Sequence, residues 1–335
     1  QIPDLDIFKA VLEGSGDRKI STTMAFVRIL TALTKDKRIG KRVVPIVPDE
    51  ARTFGMEGMF RQLGIYTAEG QKYVPEDRDQ IMYYREDKKG QILEEGINED
   101  GSMAAWMAAA TSYSTNNFPL IPFYIFYSMF GFQRVGDLAW ASGDIQARGF
   151  LIGGTAGRTT LNGEGLQHQD GHSHVLANTI PNCKAYDPAY GYEMAVVLRK
   201  GMKEMFEDNQ NVFYYLTIEN ENYEQPAMPK DCEDGIIKGM YKFESVETKG
   251  NKKTPRVQLL GAGAILNEVR AAAQMLKDDW GVASDVWSVT SFNELAREGL
   301  HVERWNRLHP DDKPKKAYVT QCLEKQTGPV VSSND

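Results

Sequence analysis

Cysteine is scarce in this 335-residue sequence: Cys183, Cys232 and Cys322 are all it has, an odd number spaced far apart. That spacing argues against a disulfide framework and reads as three reduced thiols in a cytoplasmic protein. No stretch of 18 apolar residues occurs, so no transmembrane helix is expected and the membrane is not a partner. Basic tracts are lacking too, and with a formal net charge of −7 nucleic acid is not expected as a partner. The opening Gln1-Ile2-Pro3-Asp4 has neither a charged nor an apolar region of the kind a signal peptide needs. Repeats and low-complexity segments are absent. What is present is an ordinary globular composition, 41% hydrophobic and 25% charged, long enough for two or three domains.

Hydrophobic patterning places strands and helices in alternation. Ser21-Thr22-Thr23 precedes Phe26, Ile29, Leu30 and Leu33 at helical spacing, which predicts a capped helix. Val43 to Val47 is a short apolar run, read as a buried strand that ends before Asp49-Glu50. Residues 51–96 are polar and irregular, and predict long loops with short helices. A helix is expected over Met103–Thr111, a strand over Phe118–Phe126, a strand at Phe150–Ile152, a helix over Tyr190–Met205 and a strand over Val212–Ile218. This is the pattern of an α/β domain with a largely parallel sheet. A proline-containing acidic break at Tyr223–Asp234 is followed by a second, shorter series. It comprises strands at Val257–Gly261, Asp285–Val289 and Tyr318–Cys322, and helices at Glu268–Lys277 and Glu294–Trp305.

Three of the five histidines fall within seven residues, His168, His172 and His174, in a loop that also holds Gly163, Glu164, Gly165, Asp170 and Gly171. Histidine titrates near neutrality, so metal ligation, acid–base or substrate contact, and a hydrogen-bonded structural loop all remain open. No strict zinc signature is present. Glu99, in Gly96-Ile97-Asn98-Glu99, reads from spacing alone as a solvated acid in a charged run. Arg134 reads as a structural ion-pair residue, with carboxylate binding the alternative. In open parallel sheets ligands sit beyond the carboxyl ends of strands, which directs attention to Glu50, to Tyr127–Arg134 and to Gly153–His174.

Several longer strings carry a resemblance. They are Asp49 to Glu57 (DEARTFGME), Glu95 to Glu99 (EGINE), Thr111 to Asn117 (TSYSTNN), Tyr127 to Asp137 (YSMFGFQRVGD), Gly163 to His174 (GEGLQHQDGHSH) and Thr290 to Arg297 (TSFNELAR). Together they resemble the thiamin diphosphate enzymes of the transketolase superfamily, and within it the homodimeric first component of bacterial pyruvate dehydrogenase complexes. The resemblance runs from Ser21 to about Cys322.

It implies a pyrimidine-binding domain over residues 1–229 and a partial transketolase-type C-terminal α/β domain over 230–335. The diphosphate-binding domain, with the Gly-Asp-Gly and Asn ligands of Mg²⁺, is expected to be absent. The implied activity is oxidative decarboxylation of pyruvate with reductive acetylation of a lipoyl group on the dihydrolipoyl acetyltransferase component, in a cytoplasmic homodimer. Ketol transfer of the transketolase type and a non-catalytic role in dimer assembly are the alternatives. Carried over residue by residue, Glu99 would bond the pyrimidine ring nitrogen, Phe130 would stack on that ring, and Ile97 would prop the bent cofactor. Arg134 joins this cofactor-binding set. Tyr127, Glu50, Glu164 and His168 would surround the reacting end, with His168 contacting substrate. Glu99 requires an apolar surround, expected from Ile97, Met103 and Phe130. Residues 69–85 match a mobile segment over the site. His172 and His174 are expected to shape the loop, and no metal ligand is expected in this chain.

Overall fold

The computed structural model describes residues 1–48, 51–161, 164–248 and 254–335. Six parallel strands form the larger sheet: β1 Val43–Val47, β2 Leu93–Glu94, β3 Ile121–Tyr127, β4 Phe150–Gly154, β5 Cys183–Tyr186 and β6 Phe213–Thr217. Their spatial order is β2–β1–β3–β4–β6–β5, with every neighbouring pair parallel. Alternate residues serve opposite faces. Phe123, Phe150 and Tyr214 enter one core, whereas Tyr124, Leu151 and Tyr215 enter the other. That double burial explains why the strands read as unbroken apolar runs.

The first face is covered by α1 (Thr22–Lys35). Ser21 starts it as the sequence predicts, its hydroxyl accepting the Met24 N–H at 3.0 Å. Phe26, Ile29, Leu30 and Leu33 are all buried. The second face is covered by α2 (Glu99–Ala110) and α3 (Gly131–Asp144), which pack on each other. A short helix, α4 (Ser173–Asn178), leads into β5, and α5 (Gly191–Phe206) lies beside α1.

The smaller sheet has the order β7–β9–β8–β10, from Tyr241–Val246 (β7), Arg256–Gly261 (β8), Ala283–Ser288 (β9) and Val330–Ser333 (β10). Only the β7–β9 pairing is antiparallel. Helices α6 (Ile265–Trp280) and α7 (Phe292–Leu308) follow β8 and β9. The two sheets are joined through Glu193 of α5. One of its oxygens accepts the Tyr241 and Ser288 hydroxyls at 2.6 Å each, and the other accepts the Ala189 and Tyr190 N–H groups.

Two expectations need correction. Tyr318–Cys322, read as a strand, lies in helix α8 (Tyr318–Leu323). Tyr318, Val319, Cys322 and Leu323 make a stripe against Met240 and Leu260, a helical spacing that a short run does not distinguish from a strand. Within the break at 223–234, Tyr223–Glu224 pairs antiparallel with Lys19–Ile20. The irregular stretch 51–96 contributes the edge strand β2, whose two residues carry no readable period. The three cysteines are free thiols, two of them buried. Among the described residues no helix is long and apolar enough to cross a membrane.

Candidate active site

The carboxyl ends of the central strands β3 and β4 and the start of α2 meet at the carboxyl end of the larger sheet. Strand β3 ends at Tyr127, and Gly131 opens α3 where a Cβ would stand 2.0 Å from the Phe126 ring. Strand β4 ends at Gly154, where a Cβ would stand 2.5 Å from Phe54. Absence of that Cβ lets Phe54 pack beneath Tyr127, ring centroids 5.5 Å apart. The motif after β1 thereby supports the site from below. Glu99 is the first residue of α2, and the Asn98 side chain caps that helix by accepting the Gly101 N–H at 3.0 Å.

Three rings face one another at this end. Tyr127, Phe130 and His168 have centroid separations of 6.0, 5.4 and 5.7 Å, all tilted or edge-on. The Arg134 guanidinium lies over Phe130, 4.3 Å from its centroid, and donates Nη1 to Glu99 Oε1. The Glu99 side chain is only 15% exposed. The solvated reading of Glu99 is therefore wrong: the charged run ends where the helix begins, and Arg134, one turn into α3, reaches across to it. The structural ion-pair reading of Arg134 finds its partner here.

His168 is left incomplete. Its Nδ1 is buried without a hydrogen-bond partner, and Glu164 Oε2, at 3.6 Å, is beyond hydrogen-bonding reach. Ile97 is 72% exposed and Met103 is sealed in the core, so the apolar surround expected for Glu99 is not closed by this pair. Glu50 lies outside the described residues. A buried polar atom without a hydrogen-bond partner beside an aromatic ring is a feature that a bound planar heterocycle would satisfy by stacking and hydrogen bonding. The residues present thus fit a group of that kind.

The back of the histidine loop is arranged differently. Asp170 is buried and accepts the His172 and Ser173 N–H groups at 3.0 and 2.9 Å as well as the Ser173 hydroxyl. Burial alone would raise its pKa, but these hydrogen bonds outweigh it and hold the carboxyl below the usual range. His174 is half-buried, its Nε2 2.9 Å from Thr217 Oγ1, and burial lowers its pKa. Among the described residues no group of three or more His, Cys, Asp or Glu is placed to hold a metal ion. The sequence does not mark Phe54 as a site-builder, and only the close approach at Gly154 identifies it; Asp170 stands in the histidine loop left open to metal ligation or structural hydrogen bonding, and its hydrogen bonds put it in the second role.

Residues 1–226 match the pyruvate dehydrogenase E1 component middle domain, and residues 239–335 the transketolase-like C-terminal domain. The chain is 67% identical over 334 residues to the pyruvate dehydrogenase E1 component of Pseudomonas aeruginosa, covering all of this chain and 38% of that protein. For the Escherichia coli K12 protein of the same name the identity is 60% over 336 residues, with 37% of that protein covered. The chain thus spans well under half the length of these relatives. Among solved structures, transketolase from Campylobacter jejuni superposes with a TM-score of 0.69 at 16% identity, over 99% of this chain and 42% of that one. A split gene transketolase, described as an inactive beta4 tetramer, superposes with a TM-score of 0.54 at 16% identity, over 94% of this chain and 89% of that one. These likenesses establish a transketolase-type fold.

Proposed function

The chain belongs to the pyruvate dehydrogenase E1 component family, and we propose that it carries the pyrimidine-facing half of a thiamin diphosphate site. The observation that carries this reading is the grouping of Glu99, through Arg134, with Phe130, Tyr127 and His168 beyond the end of β3, with the His168 Nδ1 lacking a hydrogen-bond partner. Phe130 offers a ring face for stacking, Ile97 an exposed aliphatic prop, and Glu99 a carboxyl for the pyrimidine ring nitrogen. When bound, thiamin diphosphate supplies the carbon nucleophile and electron sink that decarboxylation of a 2-oxo acid requires. Mg²⁺ and the diphosphate are held by a region outside residues 1–335.

The residues of this chain then act as follows. Arg134, 46% exposed, turns from Glu99 and stays over Phe130, and Glu99 shares a proton with the ring nitrogen through one hydrogen bond. Tyr127 and His168 flank the reacting end with Glu164 beside them, and Glu50, outside the described residues, is assigned to that end by the resemblance alone. His168 donates its Nδ1 proton to the carboxylate or carbonyl oxygen of pyruvate. The substrate is pyruvate, and the acetyl group passes reductively to a lipoyl group on the dihydrolipoyl acetyltransferase component, in the cytoplasm. Residues 1–229 act as the pyrimidine-binding domain and 230–335 as part of the C-terminal domain, within a homodimer.

One solved structure of similar extent supports a second statement about the segment by itself. The split gene transketolase chain that matches over most of its length is described as inactive. Residues 1–335 alone should then neither bind thiamin diphosphate tightly nor turn over pyruvate. The test is calorimetric titration of thiamin diphosphate with Mg²⁺ into this segment and into the full-length protein. Binding is expected in the full-length protein only; tight binding by the segment would overturn the division of the site between regions.

A further inference from the structure

The ends of β4, β5 and β6 and the start of α7 enclose a cavity of about 210 Å³, smaller than the roughly 300 Å³ at which sites for drug-sized ligands begin. Asp170, Asp187, Glu219 and Asp335 line it, and among the described residues no lysine or arginine does. The Arg158 guanidinium packs on Gly171, which lines the cavity. His172 and His174, the two histidines that the active-site reading leaves unused, also line it.

Most of these groups are satisfied within the protein. Asp170 holds its loop. Asp187 Oδ1 accepts the Thr217 hydroxyl at 2.6 Å, so Thr217 receives its second hydrogen bond from His174 Nε2. Asp335 accepts the Arg158 and Thr159 N–H groups and the Thr159 hydroxyl. Glu219 is the exception. Its Oε1 accepts the Ala264 N–H at 2.9 Å, but its Oε2 has no partner although the residue is 4% exposed. A buried acceptor without a donor is costly, and a ligand that supplies the donor recovers that cost.

The carboxylates are close together. A Cβ placed on Gly263 would stand 2.4 Å from Glu219 Oε1 and 2.9 Å from Asp187 Oδ2. One on Gly157 would stand 3.4 Å from Glu219 Oε2 and 2.6 Å from Asp335 Oδ2. Burial, and then the neighbouring Asp187, push the Glu219 carboxyl well above the usual range, and burial raises Asp187 as well. Two buried like charges need a proton or a cation between them. With no group of three or more ligating side chains arranged for a metal ion among the described residues, the fitting cation is one that brings its own N–H donors.

We propose that this cavity binds a compact organic ammonium, a protonated primary amine whose N–H groups go to Glu219 Oε2 and Asp187 and whose short apolar body rests on Ala156, Val175 and Phe292. Because Asp187 and Glu219 follow strands of the larger sheet and Phe292 opens α7 after the smaller one, the ligand would fasten the two together.

The test is saturation-transfer NMR and thermal melting of the full-length protein with ethylammonium chloride, against sodium chloride at equal ionic strength. Expected is a saturable ethylammonium signal with a rise in melting temperature that sodium does not give, and an affinity about tenfold or more weaker in Glu219→Gln. No saturable signal in the wild type, or the same affinity in a folded Glu219→Gln, would overturn the proposal. Should that variant not fold, competition in the wild type decides. Methylammonium is expected to displace ethylammonium, whereas tetramethylammonium, which has no N–H, is expected not to; equal displacement by both would overturn it.

Discussion

The two ends of the histidine loop differ in one respect that decides what each can do. At the front, His168 leans on the Tyr127 and Phe130 rings with a buried ring nitrogen unpaired and Glu164 too far to bond it. At the back, two residues further on, Asp170 takes three hydrogen bonds from its own loop and His174 is bonded to Thr217. Chemically identical side chains are thus poised in one place and committed in the other. The difference teaches that satisfaction of hydrogen bonds, more than residue type, separates a histidine free to take a ligand from a structural one.

The largest effect is expected outside the loop, at the carboxyl the front end serves. In full-length protein, Glu99→Ala should lower pyruvate-dependent lipoyl acetylation by about 10²–10⁴-fold, the span of a lost acid–base group, and weaken thiamin diphosphate binding. Wild-type turnover in that variant would remove Glu99 from the site. Next comes the back of the loop. Asp170→Ala leaves the Ser173 hydroxyl and two N–H groups without their acceptor, and should cost about 2–4 kcal/mol in chemical denaturation. His168→Ala in the same experiment should stay within about 0.5 kcal/mol of the wild type. Similar losses for both would erase the contrast between the two ends. In the activity assay the ranking inverts. His168→Ala should slow lipoyl acetylation by at least about tenfold while leaving cofactor affinity unchanged.

The smallest effect is in pH dependence. Burial holds the His174 pKa in the folded protein below that of the unfolded chain, which takes up a proton near pH 6.5. A lowered folded pKa means that the stability this group contributes is present above about pH 6.5 and is lost as pH falls below it. The stability gap between wild type and His174→Gln should therefore narrow between about pH 7.5 and 5.5. A gap that does not change with pH would mean that folding does not lower the His174 pKa. Asp170 acts in the same direction but lower, its contribution being lost only as pH falls below about 4.

Much of this was legible in the residues. The buried strands β1, β3, β4 and β6 stand close to where the apolar runs put them, because a strand covered on both faces leaves an unbroken hydrophobic signature. Ser21 shows its capping role in three letters. The two-residue β2 and helix α8 were not legible, since neither is long enough for its period to be distinguished from the alternative. In the site, the strings Glu95–Glu99 and Tyr127–Asp137 pointed to Glu99, Phe130 and Arg134. Their meeting depends on α2 and α3 packing against each other, a tertiary fact with no local signal. Phe54 under Tyr127 is similar: it needs Gly154 on a strand about a hundred residues away, and nothing near Phe54 announces it.

The most direct measurement is a structure of the full-length protein with thiamin diphosphate bound. Expected are the Glu99 carboxyl within hydrogen-bonding distance of the pyrimidine ring nitrogen, Phe130 stacked on that ring, and Arg134 turned from Glu99. A bound cofactor remote from Phe130, with the Glu99–Arg134 pair still closed, would contradict the central claim.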